Sequence, residues 1–112
     1  MLNKTQTHWI SVGDTLTPLG AALKQSNKAV VLTGKSVEFK LVRDDGQVVQ
    51  DWTADGVTIV DETAGKVQYD FQPADVNEAG NFYGFFRVGL GGEWDTFPPD
   101  GRRLRITITA AA

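Results

Sequence analysis

A chain of 112 residues with a net charge of −3 and no cysteine has room for one domain built on one hydrophobic core. At this length folding buries roughly 65% of the unfolded surface, so no disulfide or metal is needed to hold the core together. The mild acidity argues against a nucleic-acid binder, which carries a basic face, and the lack of cysteine excludes disulfides, thiolate metal sites and cysteine nucleophiles.

The opening residues, MLNKTQTHWISVG, lack the long apolar run of a signal peptide. No stretch approaches the roughly 20 apolar residues of a membrane span, so no membrane contact is expected. Thr7 to Val12 mixes Trp9, Ile10 and Val12 with polar residues, as an edge strand does, and Gly13-Asp14 breaks it. Leu16 to Leu23 contains Pro18 and Gly20 and is placed at a sheet edge. Lys24 to Lys28 reads as a polar loop, followed by a short apolar run from Ala29 to Leu32.

The cleanest alternation is SVEFKLVR. Val37, Phe39 and Leu41 point one way while Ser36, Glu38 and Lys40 point the other, which makes a half-buried strand. Asp45-Gly46 signals a hairpin turn into a partner strand from Gln47 to Trp52. A further turn at Asp55-Gly56 precedes a strand from Val57 to Val60. After Ala64-Gly65, Val67, Tyr69 and Phe71 alternate with Lys66, Gln68 and Asp70. Pro73 to Ala79 has room for one helical turn, with Pro73 at its first position.

The stretch Gly80 to Asp100, GNFYGFFRVGLGGEWDTFPPD, reads as an aromatic hairpin. Its strands are Asn81 to Val88 and Glu93 to Phe97, with a glycine turn at Gly89, Gly91 and Gly92. Pro98 and Pro99 end the second strand because proline lacks the N–H that a ladder needs. Four of the six phenylalanines fall in this stretch, more aromatic surface than one core face requires. A last strand, Arg103 to Thr109, alternates Leu104, Ile106 and Ile108 against Arg103, Arg105 and Thr107.

Short strands separated by turn signals, without helical periodicity, predict an all-β fold. The favoured architecture is a single immunoglobulin-like antiparallel β-sandwich over residues 1–112, with about seven to nine strands. Glu78 to Phe82 has the layout that leads into a tyrosine corner, but the aromatic there is Phe82, without the hydroxyl. The cysteine expected two residues later is Gly84.

Taken in order, the chain carries GDT (Gly13-Asp14-Thr15), LTG (Leu32-Thr33-Gly34), VEFKLVRDDGQVV (Val37 to Val49) and GKVQYDF (Gly65 to Phe71). EAGNFYGFFRV (Glu78 to Val88) and DTFPPDG (Asp95 to Gly101) follow. From about Trp9 to Ile108 this series resembles the immunoglobulin-like domain at the N-terminus of phage baseplate upper proteins, which also occurs as small stand-alone proteins of tailed phages. The resemblance implies a non-enzymatic structural component of the virion, assembled in the host cytoplasm and present as a homo-oligomer or in several copies in the particle. It would dock on other virion subunits at the baseplate or tail, or, with the same fold, at the neck or as a capsid decoration.

Catalysis has little to work with. The lone histidine, His8, is expected to pack or to be exposed rather than to serve a triad, and no serine has a nucleophile-elbow context. Asp44-Asp45 and Asp61-Glu62 lie in turn-rich sequence, where aspartate bonds local backbone N–H groups, and neither has calcium-loop spacing. No catalytic, cofactor-binding or metal-binding residue is assigned. Gly89-Leu90-Gly91-Gly92 lacks the lysine and hydroxyl of a phosphate loop.

Function is better sought on the outward half of the aromatic strand. If Phe82, Gly84, Phe86 and Val88 face the core, then Tyr83, Phe85 and Arg87 face away. These residue types are enriched at the centres of protein interfaces. Another segment, such as Leu16 to Leu23, is the competing cover for that face. Arg102, Arg103 and Arg105 form the one basic cluster: a solvated face, a charged edge that discourages strand addition, or a salt-bridging rim for an acidic partner subunit. The candidate interface is therefore Tyr83, Phe85, Arg87, Trp94, Arg103 and Arg105. A rival from another class is a carbohydrate-binding module that stacks sugars on Trp52, Trp94 or Tyr83.

Overall fold

The computed structural model describes residues 5–25, 28–97 and 103–110. Two sheets pack face to face. One has six strands in the order β1-β11-β9-β5-β6, with β10 also paired to β9; the other has three in the order β2-β8-β7. Their ranges are β1 Thr5–Ser11, β2 Leu19–Ala22, β5 Ser36–Arg43, β6 Val48–Thr53, β7 Val57–Asp61, β8 Lys66–Tyr69, β9 Gly80–Leu90, β10 Glu93–Phe97 and β11 Arg103–Thr109. These nine strands are joined by a two-residue pair, β3 Lys24–Gln25 with β4 Lys28–Ala29. The segment expected to be a plain polar loop therefore closes a short ladder, anchored where Val30 N–H donates to the Leu23 carbonyl.

This strand order is that of an immunoglobulin-like sandwich. β2, β8 and β7 take the places of the B, E and D strands, and β5, β9 and β10–β11 take those of C, F and G. The antiparallel expectation has one exception: β1 runs parallel to β11, from Thr5 opposite Arg103 to Ser11 opposite Thr109. A parallel pair needs a long connection, and here nearly the whole chain lies between the two strands. β10 and β11 follow one another along a single edge of β9, with Phe97 opposite Phe86 and Leu104 opposite Gly84. Pro98, Pro99 and Arg102, between them, lie outside the described residues.

The aromatic hairpin is the centre of the core. β9 is flanked by β5 on one side and by β10 and β11 on the other. Phe82, Gly84, Phe86 and Val88 are buried, as the alternation predicts, and Phe97 is buried with them. From the facing sheet Tyr69 lies on Phe39, ring centres 4.0 Å apart and nearly parallel, and Phe39 in turn tilts against Phe86 at 5.0 Å. Gly84 stands where antibody domains carry a cysteine. A side chain there has no room, because its Cβ would meet the Phe39 ring at 2.9 Å and Ile106 at 3.1 Å.

The turn after β9 differs from the expectation in one glycine. Gly91 and Gly92 adopt positive φ, at 63° and 89°, and make the turn. Gly89 belongs to the strand, opposite Trp94, and the Trp94 ring fills the space that a Cβ at Gly89 would take.

The connection from β8 to β9 passes through a 3₁₀ turn, Pro73–Asp75, with Pro73 at its start as predicted. Asp75 is buried and accepts hydrogen bonds from the Tyr69 hydroxyl at 2.6 Å and from the Gln72 N–H at 2.8 Å. Burial and the adjacent Asp75 carboxylate push the Tyr69 phenol far above its ordinary pKa. The corner that Phe82 cannot tie is thus tied from the neighbouring sheet. Tyr69 is the hydroxyl donor, one strand earlier than a tyrosine corner places it.

Candidate docking face

The outer face of the six-stranded sheet is set by strand parity. With Phe82, Phe86 and Val88 turned inward, Tyr83, Phe85 and Arg87 project outward and are half-buried. Across the sheet their registered neighbours are Arg105 opposite Tyr83, Lys40 opposite Phe85, and Glu38 and Thr96 flanking Arg87. Leu19–Ala22 lies in the opposite sheet as β2 and does not cover this face.

Arg87 is the best-anchored side chain there. Its Nε donates to Glu38 Oε1 at 2.8 Å, and the same two groups form an ion pair. Its guanidinium lies 4.5 Å from the Trp52 ring centre and 4.1 Å from that of Trp94, while Lys40 Nζ approaches Trp52 at 5.7 Å. The resulting line of Trp94, Arg87, Trp52 and Lys40 crosses β10, β9, β6 and β5. A cation on a tryptophan face contributes about 0.5–1 kcal/mol when exposed and about 2 when desolvated. Arg87, expected as a contact residue, is thus held within the domain and fixes the two tryptophans.

Arg105 is less fully engaged. Its Nη2 donates to the Tyr83 hydroxyl at 3.3 Å, its guanidinium lies 5.8 Å from the Tyr83 ring centre, and its Nε is buried without an acceptor. β11 lies between β1 and β9, so Arg105 projects from a sheet face and does not guard an edge. The Arg103 side chain and Arg102 lie outside the described residues.

The aromatic residues partition between two places. Phe39, Tyr69, Phe71, Phe82, Phe86 and Phe97 are buried in the core. The other five, Trp9, Trp52, Trp94, Tyr83 and Phe85, all stand on the outer face of the six-stranded sheet. Trp9 is 66% exposed and Trp94 41%. Sequence reasoning did not place Trp9 here, although the parity of His8-Trp9-Ile10 carries the signal once Ile10 is known to be buried. Glu38 and Lys40 were also legible, as the polar half of SVEFKLVR.

His8 stacks on Phe71 at 6.1 Å, and its Nε2 is buried without a hydrogen-bond partner. Burial lowers its pKa, partly offset by Asp14. Asp45 accepts from the Gln47 N–H, and Asp61 accepts from Thr63 and Ala64, the turn roles expected of them. Hydrogen bonds, from the Thr63 side chain first and then the backbone, hold the Asp61 carboxyl below its usual range. Among the described residues no group of three or more His, Cys, Asp or Glu side chains is placed to hold a metal ion.

The chain matches no family model, and no curated protein matches it.

Proposed function

We propose that this domain is a non-enzymatic structural subunit of a tailed-phage virion. It docks on neighbouring subunits through the outer face of its six-stranded sheet. The observation that carries the docking role is the concentration of every non-core aromatic residue on that one face. A free monomer rarely keeps such a surface exposed, and aromatic residues with arginine are what interface centres are made of. The phage setting rests on the ordered motifs from Gly13 to Gly101, and among virion sites it favours the baseplate or tail over the neck or capsid surface.

The same geometry favours docking over sugar stacking. Trp52 lies against Arg87 and Lys40, and Trp94 against Arg87 and the backbone of Gly89, so part of each ring surface is engaged within the domain. The test is replacement of Tyr83 and Phe85 together by serine. The expected result is a folded domain that is missing from purified particles. Normal occupancy of particles by that variant overturns the assignment of the face.

A further inference from the structure

Resting on that docking reading, we infer that the occupant of the face is an acidic, extended segment of another protein subunit. Its carboxylates would seat on Arg105 and Lys40, and its backbone would cross Tyr83 and Phe85.

Charge gives the first argument. Among the described side chains that project from β5, β9 and β11 on this face, Lys40, Arg87 and Arg105 are cationic and Glu38 is the only anion, while on β6 Asp51 lies with Trp52 in the bulge opposite Lys40. The face therefore carries a surplus of positive charge in a chain whose net charge is −3. Two copies of this face repel one another, which disfavours a two-fold pairing through it and favours an acidic partner surface.

The pairing pattern gives the second. Glu38 is taken by Arg87. No carboxylate among the described residues pairs with Lys40 or Arg105. Among the described residues Arg105 has only the neutral Tyr83 hydroxyl as acceptor, and its Nε has none. A guanidinium held in place yet short of acceptors is well disposed to take a carboxylate, because little side-chain entropy remains to be lost.

Register supplies the geometry. Lys40 is opposite Phe85, and Tyr83 is opposite Arg105, so two cations bracket two aromatic side chains on a diagonal across β5, β9 and β11. Two strand spacings across and two residues along place the cationic positions about 12 Å apart. In an extended segment, residues four apart lie on the same side at about 13 Å. The partner motif is therefore two carboxylates four residues apart, with uncharged residues between them.

The probe is a labelled peptide with glutamates at that spacing separated by Val-Thr-Val, read by fluorescence anisotropy and by amide chemical shifts of the full chain. The expected result is shifts centred on Lys40, Tyr83, Phe85 and Arg105 and binding that weakens as salt rises. Lys40→Glu with Arg105→Glu should weaken binding by about tenfold or more. Equal binding of the analogue with lysine in place of both glutamates, shifts confined to another surface, or no binding overturns the inference. If the charge reversals unfold the domain, Lys40→Gln with Arg105→Gln replaces them, with the same loss expected and unchanged affinity as the contrary result. Particle incorporation separates this claim from the one it rests on. Normal incorporation of the charge variant, with loss of the Tyr83→Ser/Phe85→Ser variant, keeps the docking face and overturns the acidic occupant.

Discussion

The Arg87 guanidinium stands 4.1 Å from the centre of the Trp94 ring, across the hairpin that joins β9 to β10. Because Arg87 also holds Glu38 and Trp52, the contact links both halves of the outer face. Arg87→Leu should destabilise the domain by about 1–2 kcal/mol through lost cation–π contact and an unpartnered, half-buried Glu38. Replacing Arg87 and Trp94 by leucine singly and together should give a coupling energy of about 0.5–1 kcal/mol in urea unfolding followed by circular dichroism. Additive effects would mean that the stack contributes nothing.

Two glycines of β9 should respond differently to alanine. At Gly84 the new methyl group meets Phe39 and Ile106 in the core, and overpacking of this kind costs about 1–3 kcal/mol. At Gly89 it meets at 2.6 Å the partly exposed Trp94 ring that covers this position. That variant should keep most of its stability while displacing Trp94, seen as a changed tryptophan emission spectrum. An unchanged spectrum for Gly89→Ala would contradict the placement of the ring.

The buried Asp75 makes the link between β8 and β9 sensitive to its partners. Tyr69→Phe removes the shorter of its two hydrogen bonds and should cost about 1–3 kcal/mol. Asp75→Ala should cost more, since it leaves both the Tyr69 hydroxyl and the Gln72 N–H without an acceptor. Urea midpoints for the two variants decide the order, and equal stability of wild type and Tyr69→Phe contradicts it.

Much of the sheet and the parity of its strands was legible in the sequence, because period-two alternation dictates which face is buried. SVEFKLVR and the aromatic hairpin are the clearest cases. The parallel pairing of β1 was not legible, since nothing local in TQTHWIS distinguishes a partner in β2 from one in β11. Nor was the Arg87 stack, which depends on β6 and β10 bringing Trp52 and Trp94 to the same arginine from opposite sides. The role of Asp75 was hidden because its donor, Tyr69, reads simply as a core aromatic.

His8 gives a pH dependence with a definite sign. Its folded pKa is lowered from the ordinary 6.5, chiefly by burial, with Asp14 acting in the opposite direction. The unfolded chain therefore binds the proton more readily. Stability from neutral His8 is fully present above pH 6.5 and is lost as the pH falls below it through the lowered folded value. Asp14 and Asp61 are lowered from 3.8 by hydrogen bonds, so their contributions are lost only at much lower pH. Just below pH 6.5, then, the decline belongs to His8. His8→Gln should flatten it in a series of urea midpoints; an unchanged slope contradicts the assignment.

The natural absence of cysteine allows the central claim to be tested with single introduced thiols. Thr96, exposed and opposite Arg87, marks the outer face of the six-stranded sheet; Thr58, exposed on β7 opposite Gln68, marks the other sheet. Both Thr96→Cys and Thr58→Cys should react with a maleimide in the free domain. In purified particles the thiol at position 96 should be protected and the one at 58 should still react. Labelling at 96 as fast in the particle as in solution would contradict docking through this face.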